Sequence, residues 1–196
     1  MEQISQMFLQ FIDAYGYIAV AVLMAMENAC IPVPSELILG FAGYLIFAER
    51  MTFTGAIVAG MLGGMAGSIF AYAVGATGGR KFVDRYGKYF FVKKSHVDLA
   101  QRWFDKYGVR AVFFSRMLPV VRTFISLPAG FAHVNFPKFL LFTFAGSLPW
   151  TALILYAGIL LGENWKYLLE IGHEASIIFI VACVIILAVL YFRKRR

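Results

Sequence analysis

Glu27-Asn28-Ala29-Cys30-Ile31-Pro32-Val33-Pro34-Ser35-Glu36 interrupts an apolar tract that runs from about Ala14 to Ala48, setting two acids on either side of a double proline break. A second interruption, Ser115-Arg116-Met117-Leu118-Pro119-Val120-Val121-Arg122, sets two arginines around Pro119 in an apolar tract from Ala111 to Val134. One charge at the centre of a bilayer costs on the order of 3 kcal/mol, so two of each sign imply a shared, buried polar site. The prolines decide the architecture. They cut the first tract into arms of about 13 residues, each short of the roughly 17 to 25 needed to span hydrocarbon. Both tracts therefore read as re-entrant hairpins, broken at Pro32, Pro34 and Pro119.

The rest of the chain agrees with a membrane setting. Of 196 residues, 61% are hydrophobic and only 15% charged, too apolar for a soluble domain of this length. Further apolar tracts at Met51–Thr77, Phe136–Leu161 and Ala175–Phe192 are long enough to enter or cross a bilayer. The two hairpins also belong to a repeat. Asp13-Ala14-Tyr15-Gly16-Tyr17-Ile18-Ala19-Val20 returns as Asp105-Lys106-Tyr107-Gly108-Val109-Arg110-Ala111-Val112, five of eight positions being identical at an offset of 92. Each copy leads into a proline-broken tract and then a long apolar helix.

One crossing per unit is an odd number, so the second unit is expected to be inverted relative to the first. The expected fold is an all-α integral membrane protein built as an inverted repeat of re-entrant hairpin plus transmembrane helix. It is read as one membrane domain, 1–196. An amphipathic helix (1–13) leads into repeat 1 (14–77), a cytoplasmic amphipathic region (78–106) and repeat 2 (107–161). A C-terminal transmembrane helix (175–192) and a basic tail (193–196) follow.

Charge orients this arrangement. The formal net charge is +7, yet nine of the 18 Lys and Arg lie between Arg80 and Arg110 and four form the tail. The positive-inside bias puts region 80–106 and the C-terminus in the cytoplasm, beside anionic lipid rather than nucleic acid. No basic residue precedes the first apolar tract, so a cleaved signal peptide is not expected. Cys30 and Cys183 lie in separate apolar segments without ligand spacing, so neither a metal nor another cofactor is expected. Gly60, Gly63, Gly64 and Gly67 form a small-residue stripe suited to close helix packing. Asp13 and Asp105 read as N-caps, and His96, His133 and His173 as bystanders.

Glu27, Pro32-Val33-Pro34-Ser35-Glu36, the glycine stripe, Phe113 to Arg122, Ala129-Gly130 and Phe136 together resemble the DedA family of bacterial membrane proteins, which carry the VTT (SNARE-associated) domain. The resemblance covers roughly residues 10–165. Ser115, where glycine is common, and Val134, where methionine is common, depart from the usual pattern without touching the charged set. The resemblance implies a multi-pass lipid transporter of the bacterial plasma membrane, dependent on proton motive force. Undecaprenyl phosphate, recycled for the cell envelope, is the first-choice substrate. A phosphatidylethanolamine flippase or scramblase and a proton-coupled exporter of small cations are the alternatives. Glu27 and Glu36 match the family's essential acids, Arg116 and Arg122 its essential arginines.

These residue types suit that chemistry. A guanidinium offers a planar, permanently charged fork to phosphate oxygens, and Ser115, Thr123 and Ser126 add hydroxyl donors. Glu27 and Glu36 are expected to be counter-ions to the arginines between transport events and to carry the coupling protons. The partners expected are thus a lipid phosphate headgroup and protons, with no nucleic acid; a homodimer is left open. An enzyme is not expected. The lipid-phosphatase signature that also begins Ser-Arg needs a histidine six residues after the arginine and an aspartate four further on. Arg122 and Ser126 stand there instead.

Overall fold

Gly16 and Gly108, equivalent positions of the repeated octamer, both take left-handed backbone angles, with φ of 55° and 65°. At each, the glycine N–H donates to the carbonyl four residues back, Ile12 and Phe104, at 2.8 Å. A computed structural model describes residues 2–31, 33–86 and 102–164. Its helices are α1 (Glu2–Tyr15), α2 (Tyr17–Asn28), α3 (Ser35–Phe47), α4 (Phe53–Tyr86), α5 (102–107), α6 (Arg110–Arg116), α7 (Pro119–Phe124), α8 (Ser126–Phe131) and α9 (Phe136–Leu161). No strand occurs among the described residues. The greater part of the expected amphipathic region 78–106, the C-terminal helix 175–192 and the tail lie outside them.

The turn glycines correct one expectation. Asp13 and Asp105 do not cap helices, because α1 and α5 run through them and the chain turns only at the glycine that follows. Asp13 instead pairs at the surface with Arg50. α4 also extends beyond the expected Thr77 to Tyr86.

Proline chemistry sets the breaks. Pro34 precedes α3 in an extended conformation, leaving residues 29–34 as the connection between two helices of 12 and 13 residues. At about 1.5 Å per residue, each arm is roughly 20 Å long. Pro119 occupies the start of α7, where its missing N–H costs nothing. Leu118, the residue before it, is forced into extended angles (φ −100°, ψ 122°), which separates α6 from α7. Pro128 cannot donate to Phe124, and the chain breaks again between α7 and α8 at Ile125. The second tract is thus split twice.

Reciprocal packing joins the halves. α2 lies along α4 and α6 along α9, while α3 crosses to α9 and α8 crosses to α4. Gly43 on α3 abuts Leu155 and Gly158 of α9; Gly130 on α8 abuts Tyr72 and Gly75 of α4. A β-carbon at either position would collide with the facing backbone. A left-handed residue ends both broken tracts, at Glu49 (φ 59°) and His133 (φ 47°), before α4 begins at Phe53 and α9 at Phe136. Two apolar clusters fill the interior. One gathers Ile12, Leu23, Met24, Ile38, Leu39 and Leu155; the other gathers Phe104, Val112, Ile125 and Phe139.

Phe53–Thr77 and Phe136–Asn164 are long and apolar enough to cross a membrane. Only 39% and 28% of their most apolar windows is buried in the protein. Leu62 and Phe70 on α4, with Leu141, Leu153 and Leu160 on α9, are exposed. A soluble domain would have to hide so much apolar surface; a lipid-facing one need not.

Candidate functional site

Charged residues that flank the two proline breaks come together in the interior. Arg116 ends α6 and Arg122 lies on α7, and both are buried, at 0% and 1% exposure. Glu27, at the end of α2, is 3% exposed. Burial of bare charges is costly enough that the partners of each atom must be accounted for.

Arg116 is nearly saturated. Its Nη1 donates to Asn28 Oδ1 at 2.6 Å and to the Arg122 carbonyl at 3.0 Å, and its Nη2 to Ser68 Oγ at 2.9 Å and Ser126 Oγ at 2.7 Å. One guanidinium therefore ties α2, α4, α7 and α8 together. The acceptors are themselves held: Asn28 Nδ2 donates to the Met24 carbonyl, and Ser68 Oγ to the Gly64 carbonyl one helical turn back. Among the described residues no carboxylate lies within ion-pair distance of Arg116.

Arg122 is the opposite case. Its Nη2 stands 3.7 Å from Glu27 Oε2, an ion pair too long to be a hydrogen bond, while Nε and Nη1 are buried without a partner. The guanidinium carbon lies 5.4 Å from the centre of the Trp150 ring, within cation–π range. Glu27 Oε1 accepts a hydrogen bond from Thr123 Oγ1 at 3.2 Å, and its Oε2 accepts none. Beside Arg122, a cavity of about 10 Å³, roughly the room of one water, is lined by Asn28, Gly60, Gly64, Ser147 and Thr151 among others.

Not every expected residue enters this constellation in the expected way. The pairing of both acids with both arginines is realised once, as Glu27 with Arg122. Glu36, half-buried in the first turn of α3, makes no ion pair among the described residues, although Glu27 feels its charge. Ser126 and Thr123 contact the charged groups, whereas Ser115 is buried without a side-chain bond to them. Counted over Arg116, Arg122 and Glu27, the interior holds one more positive than negative charge. Such a site favours an anion.

The VTT domain matches residues 33–160, about two thirds of the chain. The chain belongs to the VTT-domain family, the DedA proteins. This VTT-domain chain is 38% identical over 188 residues to "Undecaprenyl phosphate transporter A" of Bacillus subtilis (strain 168), covering 96% of this chain and 93% of that one. It is 32% identical to the protein of the same name from Staphylococcus aureus (strain NCTC 8325 / PS 47), covering 97% and 95%. An "Alkaline phosphatase-like protein" of Lactococcus lactis subsp. lactis (strain IL1403) is 34% identical, covering 97% and 92%. No solved structure matches. Family membership and the exposed apolar faces of α4 and α9 together make this a membrane protein.

Asn28, Ser68 and Trp150 are the residues that sequence reading of the VTT-domain chain passes over. Asn28 directly follows Glu27, and Ser68 continues the glycine stripe one turn beyond Gly64, so a polar residue at helical spacing inside an apolar stripe was the available signal. Trp150 carries no such mark.

Proposed function

We propose that this protein is a flippase that carries a phosphate-bearing lipid across the bacterial plasma membrane, with undecaprenyl phosphate as substrate and proton motive force as the drive. The observation that carries this reading is the unequal state of the two buried arginines. Arg122 keeps two unpartnered nitrogens, Nε and Nη1, and only a long ion pair, so an arriving phosphate monoester can outcompete Glu27 for it through short, charge-assisted bonds. The transport name of two relatives that match nearly end to end supports the same reading.

The mechanism follows from that competition. Protonation of Glu27 from the outer side releases Arg122, the phosphate takes its place, and deprotonation on the inner side re-forms the pair and expels the headgroup. Glu36, half-buried near Glu27, relays the proton. The membrane frame for this is the inverted repeat: α2–α3 and α6–α8 as opposed re-entrant hairpins, 80–106 and the C-terminus cytoplasmic. The reciprocal contacts Gly43–Gly158 and Gly130–Gly75, and the matched turns at Gly16 and Gly108, support the repeat. Helices of 12 and 13 residues, too short to span, support the hairpins.

Transport is favoured over hydrolysis despite the phosphatase-like name of the Lactococcus relative. Ser126, the hydroxyl nearest the arginines on α8, is engaged by Arg116, and an arginine occupies the place a phosphatase histidine would need. Native mass spectrometry of the purified chain tests the reading. A polyprenyl monophosphate should co-purify with the native chain and be lost in Arg122→Ala; equal retention would refute the assignment.

A further inference from the structure

The α4 glycine stripe divides into two kinds of position. A β-carbon at Gly63 or Gly67 would collide with the backbone of α2 at Ala21 and Ala25, so those glycines serve helix approach. Gly60 and Gly64 face no backbone. A β-carbon there would meet only the Thr151 methyl and a Leu39 methyl at 3.4 and 3.5 Å, or the Asn28 amide at 3.4 Å. Packing therefore does not require glycine at 60 or 64.

What these two glycines leave open is the cavity beside Arg122. It is lined by Asn28 from α2, by Ser147 and Thr151 one turn apart on α9, and by Met24, Met61 and Met65. Arg122 forms part of the wall, 1% exposed, with Nε and Nη1 lacking any partner. Buried donors without acceptors are rare, and Arg122 lines a space that can admit an acceptor.

We infer that this slot between α4 and α9 is the headgroup subsite of the transporter: Gly60 and Gly64 keep it open, and Ser147 and Thr151 bind phosphate oxygens alongside Arg122. The inference rests on the lipid-phosphate reading above. It adds two specificity residues on α9 and gives two glycines of the stripe a role in binding. The slot has room for about one water, so a phosphate enters as Glu27 and Trp150 withdraw. The methionines adapt their shape to a widening slot without losing contact.

Binding of a short-chain polyprenyl monophosphate to the purified full-length protein tests this, with inorganic phosphate as the second probe. Gly60→Ala with Gly64→Ala should leave the thermal unfolding midpoint close to the native value. Affinity for the polyprenyl phosphate should fall on the order of tenfold or more, as lost charged hydrogen bonds do. Ser147→Ala with Thr151→Val, which removes both hydroxyls at nearly constant shape, should weaken binding similarly and decides the matter if the alanine pair fails to fold. Native affinity in either folded double variant, with Arg122→Ala unable to bind, would overturn the slot while leaving the parent reading intact. Native affinity in Arg122→Ala as well would overturn both. Inorganic phosphate binding as tightly as the prenyl ester would overturn assignment to a lipid headgroup.

Discussion

Arg116 and Arg122, on either side of the Pro119 break, are joined to one another: Arg116 Nη1 donates to the Arg122 carbonyl at 3.0 Å. One arginine thereby holds the backbone of the other. The first spends its donors on Asn28, Ser68 and Ser126, and the second keeps its own largely free. Their roles separate on this basis into anchor and ligand.

Loss of the anchor is expected to be a folding defect. Arg116→Ala would strand the Asn28, Ser68 and Ser126 acceptors in a dry interior, at a cost of about 3 kcal/mol or more. Arg116→Lys should recover little, since one ammonium cannot reproduce a fork spread over four acceptors. Thermal unfolding in detergent checks this, with Arg122→Ala, which breaks one long ion pair rather than four hydrogen bonds, expected to lose less than Arg116→Ala.

The two acids should behave differently. Glu27→Gln keeps a carbonyl oxygen for Thr123 but leaves Arg122 without its only ion-pair partner among the described residues, and should destabilise the fold by about 1 to 3 kcal/mol. Glu36→Gln breaks no ion pair among the described residues and should unfold within about 0.5 kcal/mol of the native chain. Parallel unfolding curves would show whether the gap exists.

Close approach of α2 to α4 depends on glycine at 63 and 67. Gly63→Ala or Gly67→Ala drives a methyl into the α2 backbone and should cost about 1 to 3 kcal/mol by forcing the helices apart. Equal stability of Gly63→Ala and Gly64→Ala would contradict the division of the stripe.

Surface charge offers a control. Asp13 and Arg50 pair with about half of each side chain exposed, 47% and 54%. Asp13→Asn should change stability by no more than about 0.5 kcal/mol, and less still in high salt.

Much of this organisation was legible in the sequence for physical reasons. Charges in apolar tracts have few places to go, so Glu27, Arg116 and Arg122 announced a shared interior, and prolines at 34 and 119 fixed where helices stop. The octamer repeat marked Gly16 and Gly108 as corresponding positions but not as turns, and the aspartates in it were misread as caps because the glycine, not the acid, makes the turn. The partners of Arg116 were harder. Asn28 and Ser68 are ordinary helix residues until three dimensions bring α2 and α4 under α6, and no spacing rule links positions 28, 68 and 126. The pairing was also only half foreseen, because opposite charges in one site do not say which acid faces which base. Glu36 makes no ion pair among the described residues.

Transbilayer movement of a polyprenyl monophosphate in liposomes reconstituted with equal amounts of folded protein tests the central claim most directly. The native chain should move the lipid across, and Arg122→Ala, though folded, should leave it at the rate of protein-free vesicles. Movement by Arg122→Ala at the native rate would contradict it.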